Sequence, residues 1–251
     1  MRKLLIAFTA IACAAGTAQA EDGATDGWSG EGSLSAGYTT GNTDTKDFGL
    51  GLKLNKKSGL WDFGIEASAD YGEIDGEESK NRIYTGLNAD RLINDRLFGF
   101  GQVSYERDEF TGFESRTFVG GGLGYHIFDG DKTKWTVRGG PGLKIDEVRA
   151  YETVDVNNLP ITVPDETVNS FGAVASSAFA YKFNENVGFS NDTSVIYAEE
   201  STQLSNTAAL TAALTSKMSA RVSFDVRHDT NPPAGFESTD TATRVSLVYA
   251  F

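Results

Sequence analysis

The chain ends in the stretch VSLVYAF, residues 245–251, in which every second side chain is large and apolar. Side chains alternate between the two faces of a β-strand, so Val245, Leu247, Tyr249 and Phe251 lie on one face. An exposed aromatic edge strand of a soluble sheet would promote aggregation in water. The stretch is more typical of the closing strand of a transmembrane β-barrel, and Tyr249 and Phe251 resemble the signal read by the outer-membrane insertion machinery.

The beginning of the chain predicts export. Arg2 and Lys3 precede an apolar run over residues 4–15, and Ala18 to Ala20 form a small-x-small triplet before an acidic residue. This order is that of a secretory signal peptide, so we expect residues 1–20 to be removed and residues 21–251 to form one domain. The alternative is lipidation at Cys13, for which the preceding residues are a poor match.

The composition narrows the function classes. The predicted mature chain has 20 Lys and Arg against 35 Asp and Glu, and it contains no cysteine. This acidic balance argues against nucleic acid as a partner, because no basic surplus neutralises phosphates. No apolar run after residue 20 reaches the length of a transmembrane helix, and no motif indicates a cofactor or a metal.

Alternation of apolar and polar residues instead recurs along the whole chain. It predicts an all-β fold, a transmembrane antiparallel up-and-down β-barrel of about twelve strands. The fifth strand is ambiguous because Phe98 and Phe100 favour one face while Leu97, Val103 and Tyr105 favour the other. A bulge near Gly99 or Gly101 would reconcile them. The predicted strands are 28–38, 46–55, 60–72, 81–91, 96–107, 115–128, 133–145, 169–183, 187–197, 204–215, 219–229 and 240–251.

The predicted connections alternate between short turns and longer polar loops. In outer-membrane barrels the short turns lie in the periplasm and the long loops outside. This places the protein in a Gram-negative outer membrane with both termini in the periplasm. The short turns are 55–59, 92–95, 129–132, 184–186 and 216–218, and the long loops are 39–45, 73–80, 108–114, 146–168, 198–203 and 230–239.

Aromatic residues mark the expected edges of the apolar band. The first two tryptophans lie near the starts of odd-numbered strands, and each is followed ten residues later by a tyrosine. At about 3.3 Å per residue and a tilt of about 40°, each pair spans about 25 Å of membrane. The predicted girdle residues are Trp28, Tyr38, Trp61, Tyr71, Trp135 and Tyr249.

Three blocks in order resemble a known family. They are GNTD at 41–44, YERDEF at 105–110 followed by GGGLGY at 120–125, and NPPAG at 231–235 followed by TDT at 239–241. Together these blocks are similar to the YdiY-like, salt-induced outer-membrane proteins, a family of unknown function. The resemblance covers nearly all of the predicted mature chain. It implies a link to salt or osmotic stress and no established activity.

The residues expected to face the lumen carry opposite charges on two sides. One interpretation is a narrow pore or solute-binding channel with a transverse field for small charged solutes. The alternative is a closed structural barrel in which the two walls meet as salt bridges. Twelve strands do not decide between a filled and an open interior. The predicted acidic wall is Glu31, Asp47, Asp62, Glu66, Asp70 and Asp90; the predicted basic wall is Arg116, Arg138, Lys144, Lys182, Arg221, Arg227 and Arg244.

Other functions receive less support. A lipase-like outer-membrane hydrolase would need a nucleophile beside one of the two histidines, and neither His126 nor His228 has a serine two residues away on its own face. The glycine run 120–124 lacks the Lys-Ser/Thr of a phosphate loop. We expect its small residues either to let a barrel strand bend or to leave room for an inward side chain from a neighbour. Loop 146–168 has an apolar centre from Leu159 to Pro164 and is a candidate lid or a packed surface loop.

The expected partners are outer-membrane lipid and lipopolysaccharide.

Overall fold

A computed structural model describes residues 27–39, 45–154, 160–233 and 236–251. Twelve antiparallel strands form a closed barrel, and two short strands form a separate hairpin. The predicted fold class and the number of barrel strands are confirmed. The barrel strands are β1 Gly27–Thr39, β2 Thr45–Ser58, β3 Trp61–Ile74, β4 Glu77–Leu92, β5 Leu97–Asp108, β6 Phe113–Asp129, β7 Thr133–Val148, β10 Glu166–Lys182, β11 Val187–Ala198, β12 Gln203–Ala213, β13 Met218–Asp229 and β14 Thr239–Ala250; the hairpin is β8 Tyr151–Val154 with β9 Pro160–Val163.

Each barrel strand pairs with its sequence neighbours, apart from the β8–β9 insertion, and β1 closes the ring against β14. Leu34 of β1 lies opposite Leu247 of β14. The last residue completes the seam, because Phe251 and Gly30 exchange backbone hydrogen bonds of 2.9 and 3.0 Å. The C-terminal stretch is therefore the closing strand, as the alternation predicts.

The barrel is apolar outside and polar inside. Large apolar side chains such as Leu50, Ile65, Leu87 and Leu247 are more than a third exposed on the outer surface, while the alternate positions carry Ser, Gly and charged residues. This is the reverse of a soluble sheet, and it is the arrangement of a barrel surrounded by lipid. The alternation along each strand produces it directly.

Among the described residues, no helix is long and apolar enough to cross a membrane. We call the end with the connections 59–60, 93–96, 130–132, 183–186 and 214–217 the short-turn end, and the opposite end the long-loop end. The first described residue, Gly27, and Phe251 lie at the short-turn end.

Two predicted long loops contain additional strand. The predicted loop 73–80 is a tight hairpin turn, in which Asp75 and Gly76 adopt positive φ angles of 52° and 86°. Two successive positive φ values are typical of a type I′ turn, which suits Asp-Gly. In the predicted loop 146–168, β7 continues to Val148 and β10 begins at Glu166, with the β8–β9 hairpin between them. Leu159 of the predicted apolar centre falls outside the described residues.

The prediction of a bulge in β5 is wrong. The strand pairs without a register shift with both β4 and β6, and Phe98 and Phe100 face inward, where they are 1% and 6% exposed. They form a buried cluster with Phe118 and Val174. The apparent conflict of faces arose because this strand has apolar residues on both sides.

Glycines on β6 and β7 make room for the rings of Phe98 and Phe118. A Cβ atom at Gly124 would overlap the ring of Phe98, and one at Gly120 would come within 2.6 Å of Phe118. Gly142 of β7 likewise has the Phe118 ring against its Cα. The expectation that the glycine run makes room for a neighbour's side chain is confirmed.

The lipid-facing surface also contains a hydrogen-bonded polar cluster on β11 and β12. The Asn206 amide donates to Thr193 Oγ1 at 2.7 Å and to Asn191 Oδ1 at 3.3 Å, and the Asn191 amide donates back to Asn206 Oδ1. Polar groups that face hydrocarbon are costly unless they are hydrogen-bonded. Their mutual hydrogen bonds reduce that cost.

We expect Gly124→Ala to lower the free energy of unfolding by about 1–3 kcal/mol, because the added methyl group overpacks against Phe98. Urea unfolding in lipid vesicles, followed by the electrophoretic shift of the folded barrel, measures this. The matched control is Gly101→Ala on β5, since a Cβ there has nothing within 4 Å. Equal stability of the two variants would contradict the packing described here, and Phe98→Ala should rescue Gly124→Ala.

Candidate functional site

A cavity of about 840 Å³ occupies the lumen. It is bordered by inward-facing residues of the strands and by loops 109–112 and 230–238 at the long-loop end. Nine of the side chains predicted to face the lumen border it. They are Glu31, Glu66, Asp70, Arg116, Arg138, Lys144, Arg221, Arg227 and Arg244.

Within the described part of the chain, four other predicted lumen residues do not border this cavity: Asp47, Asp62, Asp90 and Lys182. Asp47 lies at the long-loop end, where Lys80 Nζ is 2.9 Å from its carboxylate. Asp90 is held by Arg138, whose Nη2 donates to Asp90 Oδ2 at 2.7 Å. Asp62 and Lys182 are near the short-turn ends of β3 and β10.

The predicted separation into an acidic and a basic wall is incomplete. The strands assigned to the basic wall also carry the carboxylates Asp146 and Asp229. The adjacent β11, which has no residue in the predicted basic wall, carries Asp192. Asp146 falls in the predicted loop 146–168, but β7 extends to Val148 and makes it a strand residue. Charges of both signs therefore meet on that side of the barrel.

Ion pairs cross the lumen near the long-loop end. Arg116 Nη2 of β6 lies 2.6 Å from Asp229 Oδ2 of β13, and Arg227 of β13 lies 3.7 Å from Glu106 of β5. Glu106 also pairs with Arg82 of β4. Strands β7, β10, β11 and β12 separate β6 from β13 around the ring. These pairs therefore connect opposite sides of the barrel and narrow its lumen.

A second group of ion pairs joins the β3–β4 side to β13 and β14. Asp70 lies between Arg82 at 3.5 Å and Arg244 at 3.1 Å. Arg244 also contacts Asp225 at 3.6 Å. Asp70 is only 6% exposed, so its charge is compensated by two guanidinium groups rather than by water.

A buried lysine fixes the connection between β11 and β12. Lys144 is 2% exposed and its Nζ lies 2.7 Å from Asp146. It also donates to Ser201 Oγ at 3.2 Å, and that hydroxyl donates to Asp229 at 2.6 Å. A serine and a lysine at this distance can form a catalytic pair, but here the lysine is paired with Asp146 and the serine hydroxyl donates to Asp229. The contacts identify Lys144 as an anchor for this loop.

Two loops from opposite sides meet over the long-loop end. A Cβ atom at Gly112, in the β5–β6 loop, would contact both Phe236 and Pro233 of the β13–β14 loop at 2.6 to 2.8 Å. Phe110 and Phe236 both border the cavity. Sequence reasoning placed a possible lid in loop 146–168 and did not identify this contact, since nothing in the local pattern shows that two distant loops meet.

A ring of charged residues lies closer to the short-turn end. Arg221 binds Glu31 through two hydrogen bonds of 2.9 and 3.0 Å, and Lys53 lies 3.3 Å from Glu66. Asp192 of β11 also borders the cavity and interacts electrostatically with all four residues. We refer to these five residues as the charged ring.

The two histidines are bound to threonines. His126 Nδ1 is 2.9 Å from Thr136 Oγ1 and its ring packs on Phe98, while His228 Nδ1 is 2.8 Å from Thr239 Oγ1. In neither contact is the partner a serine. Among the residues that the structure describes, no three His, Cys, Asp or Glu side chains are grouped so that they could hold a metal ion.

The predicted girdle residues occupy outward positions wherever their side chains are described. Trp28, Trp61, Tyr71 and Tyr249 are between 43% and 63% exposed. Trp135 is half-buried on the outer surface and donates to Ser177 Oγ at 3.0 Å. The side chain of Tyr38 lies outside the described residues.

We expect Glu106→Gln to lower the free energy of unfolding by about 2–4 kcal/mol, because it leaves Arg82 and Arg227 without their shared carboxylate in a partly buried site. Thermal unfolding in detergent measures the change. Glu109→Gln, which removes an exposed partner of Arg107 at 3.3 Å, should cost under about 1 kcal/mol. Equal losses for the two variants would show that the pairs across the lumen add no particular stability.

Comparison with known proteins agrees with this architecture. The translocator domain of the autotransporter NalP from Neisseria meningitidis superposes with a TM-score of 0.52 at 11% identity, covering 89% of this chain and 88% of that one. The NanC porin superposes with a TM-score of 0.51 at 11% identity, covering 89% of this chain and 99% of that one. At such identities these likenesses show the fold alone, which is that of outer-membrane β-barrels.

Sequence comparison confirms the family resemblance. Uncharacterized protein YdiY of Escherichia coli (strain K12) is 26% identical over 223 residues, which cover 88% of this chain and 82% of YdiY. The profile of the family described as "Protein of unknown function, DUF481" matches residues 32–251. The chain therefore belongs to the DUF481 family.

Proposed function

We propose that this protein is a narrow passive pore of the Gram-negative outer membrane and not an enzyme. In this proposal the signal peptide 1–20 is removed, residues 21–251 form the barrel, and both termini lie in the periplasm at the short-turn end. The exposed apolar outer surface supports a membrane location, since lipid is the solvent that such a surface requires. The insertion machinery would recognise Tyr249 and Phe251, and lipid and lipopolysaccharide would surround the wall.

The observation that carries the proposal is the charged, polar cavity of about 840 Å³ inside the barrel. An interior of this volume accommodates water and small solutes. A barrel with only a structural role could fill its lumen with side chains, as smaller barrels do. Here serines, threonines and charged groups border open space instead.

The same geometry indicates that only small solutes would pass. The Arg116–Asp229 and Arg227–Glu106 pairs cross the lumen, and the contact between Gly112 and Phe236 lies over its long-loop end. Small charged or zwitterionic solutes are suited to such a path, because paired charges of both signs can replace part of their hydration.

Ionic strength provides a physical link to the salt response that the family resemblance implies. Lys53 and Glu66 are 3.3 Å apart with nearly half of each side chain exposed to the lumen. Exposed pairs of this kind weaken as salt screens them. Because of this exposed pair, conductance and ion selectivity should depend more strongly on salt concentration than they would if every ion pair in the lumen were buried.

A closed structural barrel is the second candidate. The ion pairs across the lumen and the meeting of the two loops favour it. In that case the charges inside the barrel would serve stability, and no solute would cross.

Planar-bilayer recording distinguishes the two candidates. We expect the pure wild-type protein to give small conductance steps, and Arg116→Ala with Asp229→Ala to give larger ones, because this double change removes one bridge across the lumen without altering net charge. The matched control, Arg107→Ala with Glu109→Ala, removes an exposed pair that does not border the cavity, so its steps should equal those of the wild type.

The contrary result is the absence of steps from both the wild type and the Arg116/Asp229 double variant, with folding shown by the electrophoretic shift. It would remove the pore and leave the structural barrel. Lipid or peptide hydrolysis that is lost in His126→Ala or His228→Ala would instead support the hydrolase.

A further inference from the structure

The positive charge that borders the cavity is compensated throughout. Among the described residues, eight lysine and arginine side chains border the cavity, and each has a carboxylate within 4.0 Å. They are Lys53, Arg82, Arg116, Arg138, Lys144, Arg221, Arg227 and Arg244. An anion that entered the lumen would have to compete with a protein carboxylate for every one of them.

Asp192 differs from the carboxylates that hold these cations. It projects from β11 into the cavity, flanked on the same face by Ser190 and Ser194. Within the described ranges its carboxylate takes part in no ion pair and no side-chain hydrogen bond, and the side chain is exposed to the lumen. Glu237 and Asp240 also border the cavity and have no ion pair within the described part of the chain, but they lie at the long-loop end. Among the described carboxylates that border the cavity, Asp192 is thus the unpaired one near the short-turn end.

The charged ring places Asp192 at one depth with four other groups. Glu31, Lys53, Glu66 and Arg221 each lie three to five residues from the short-turn end of their strands, and so does Asp192. Each of the two salt bridges in the ring joins one positive and one negative group, so Asp192 leaves the ring with one net negative charge. Lys53 is the strongest of the opposite charges that act on Asp192, but it is already 3.3 Å from Glu66.

We propose that Asp192 forms a binding site for monovalent cations, either an alkali ion or an organic ammonium group, and gives the lumen a preference for cations. A carboxylate in a confined, partly dehydrated space attracts cations strongly, because the effective dielectric constant is well below that of water. The serine hydroxyls beside it supply neutral oxygen ligands. A divalent ion needs several chelating oxygen ligands, whereas this site has one carboxylate. Among the described residues no three His, Cys, Asp or Glu side chains are grouped to hold a metal ion. The role in transport rests on the proposed pore, whereas binding does not.

Reversal potentials test the preference. In a tenfold KCl gradient, the wild-type pore should be more permeable to K⁺ than to Cl⁻. Asp192→Asn should lower this permeability ratio by roughly fivefold, the order expected when a unit charge is removed from a partly screened lumen. Glu185→Gln is the matched control, because it removes the same charge from the exposed β10–β11 turn of the same hairpin and should leave the ratio near the wild-type value.

Binding can be tested without conductance. Tetramethylammonium chloride is titrated into labelled protein in detergent micelles, and NMR follows the Asp192 carboxyl and the amides of Ser190 and Ser194. We expect saturable shifts in the wild type and none in Asp192→Asn, which should retain the dispersed spectrum of a folded barrel.

The two experiments distinguish a failure of the proposed cation site from a failure of the proposed pore. Conducting channels with the same selectivity in wild type and Asp192→Asn, together with no saturable shifts, would overturn the cation site and leave the pore intact. A protein that does not conduct but shows the shifts would overturn the pore and retain the site.

Discussion

The structure depends on one constraint, the contact of its exposed apolar outer surface with lipid. Leucines, isoleucines and aromatic residues cover the outside of β1 to β5 and β13 to β14, and water would not tolerate that area. In lipid the same residues are stabilising, and the backbone must satisfy all its hydrogen bonds internally. A closed ring achieves this, which explains why the last residue of the chain is bonded to Gly30 at the seam.

The same constraint determines the interior. Because every second residue faces lipid, the others must face the lumen, and too few of them are apolar to form a core. The described lumen contains a small aromatic cluster around Phe98 and Phe118. The rest of it is open space bordered by polar groups and ion pairs. Charges that are paired across the lumen stabilise the barrel and also set which solutes could enter it. Stability and the proposed permeation therefore rest on the same residues.

Period-two alternation was sufficient to predict all twelve barrel strands, because each strand must alternate over its whole length to separate lipid from lumen. Strand ends were less predictable: β7 continues past residue 145 and thereby brings Asp146 beside Lys144. The face of Phe98 was ambiguous because the space for its ring is made by Gly124 on another strand. The sequence around a residue does not show which residues of another strand leave space for its side chain.

Contacts across the barrel were beyond sequence reasoning for a different reason. Which inward residue meets which depends on the tilt and register of strands that are far apart in the chain, as for Arg116 and Asp229 or Gly112 and Phe236. The candidate residues were therefore largely those expected from parity, but their pairing was not. Asp192 is the most important exception. It has no ion-pair partner among the described residues, and parity alone did not single it out.

Labelling of single cysteines in intact cells tests the lipid environment most directly. Cysteines at Leu52 and Ile65, both on the outer surface, are treated with a membrane-impermeant maleimide. The reactive control is Glu77→Cys at the exposed start of β4, next to the β3–β4 turn. We predict labelling at position 77 and protection at 52 and 65 until the membrane is dissolved. Labelling of positions 52 and 65 in intact cells, at the rate of position 77, would contradict the lipid-facing barrel.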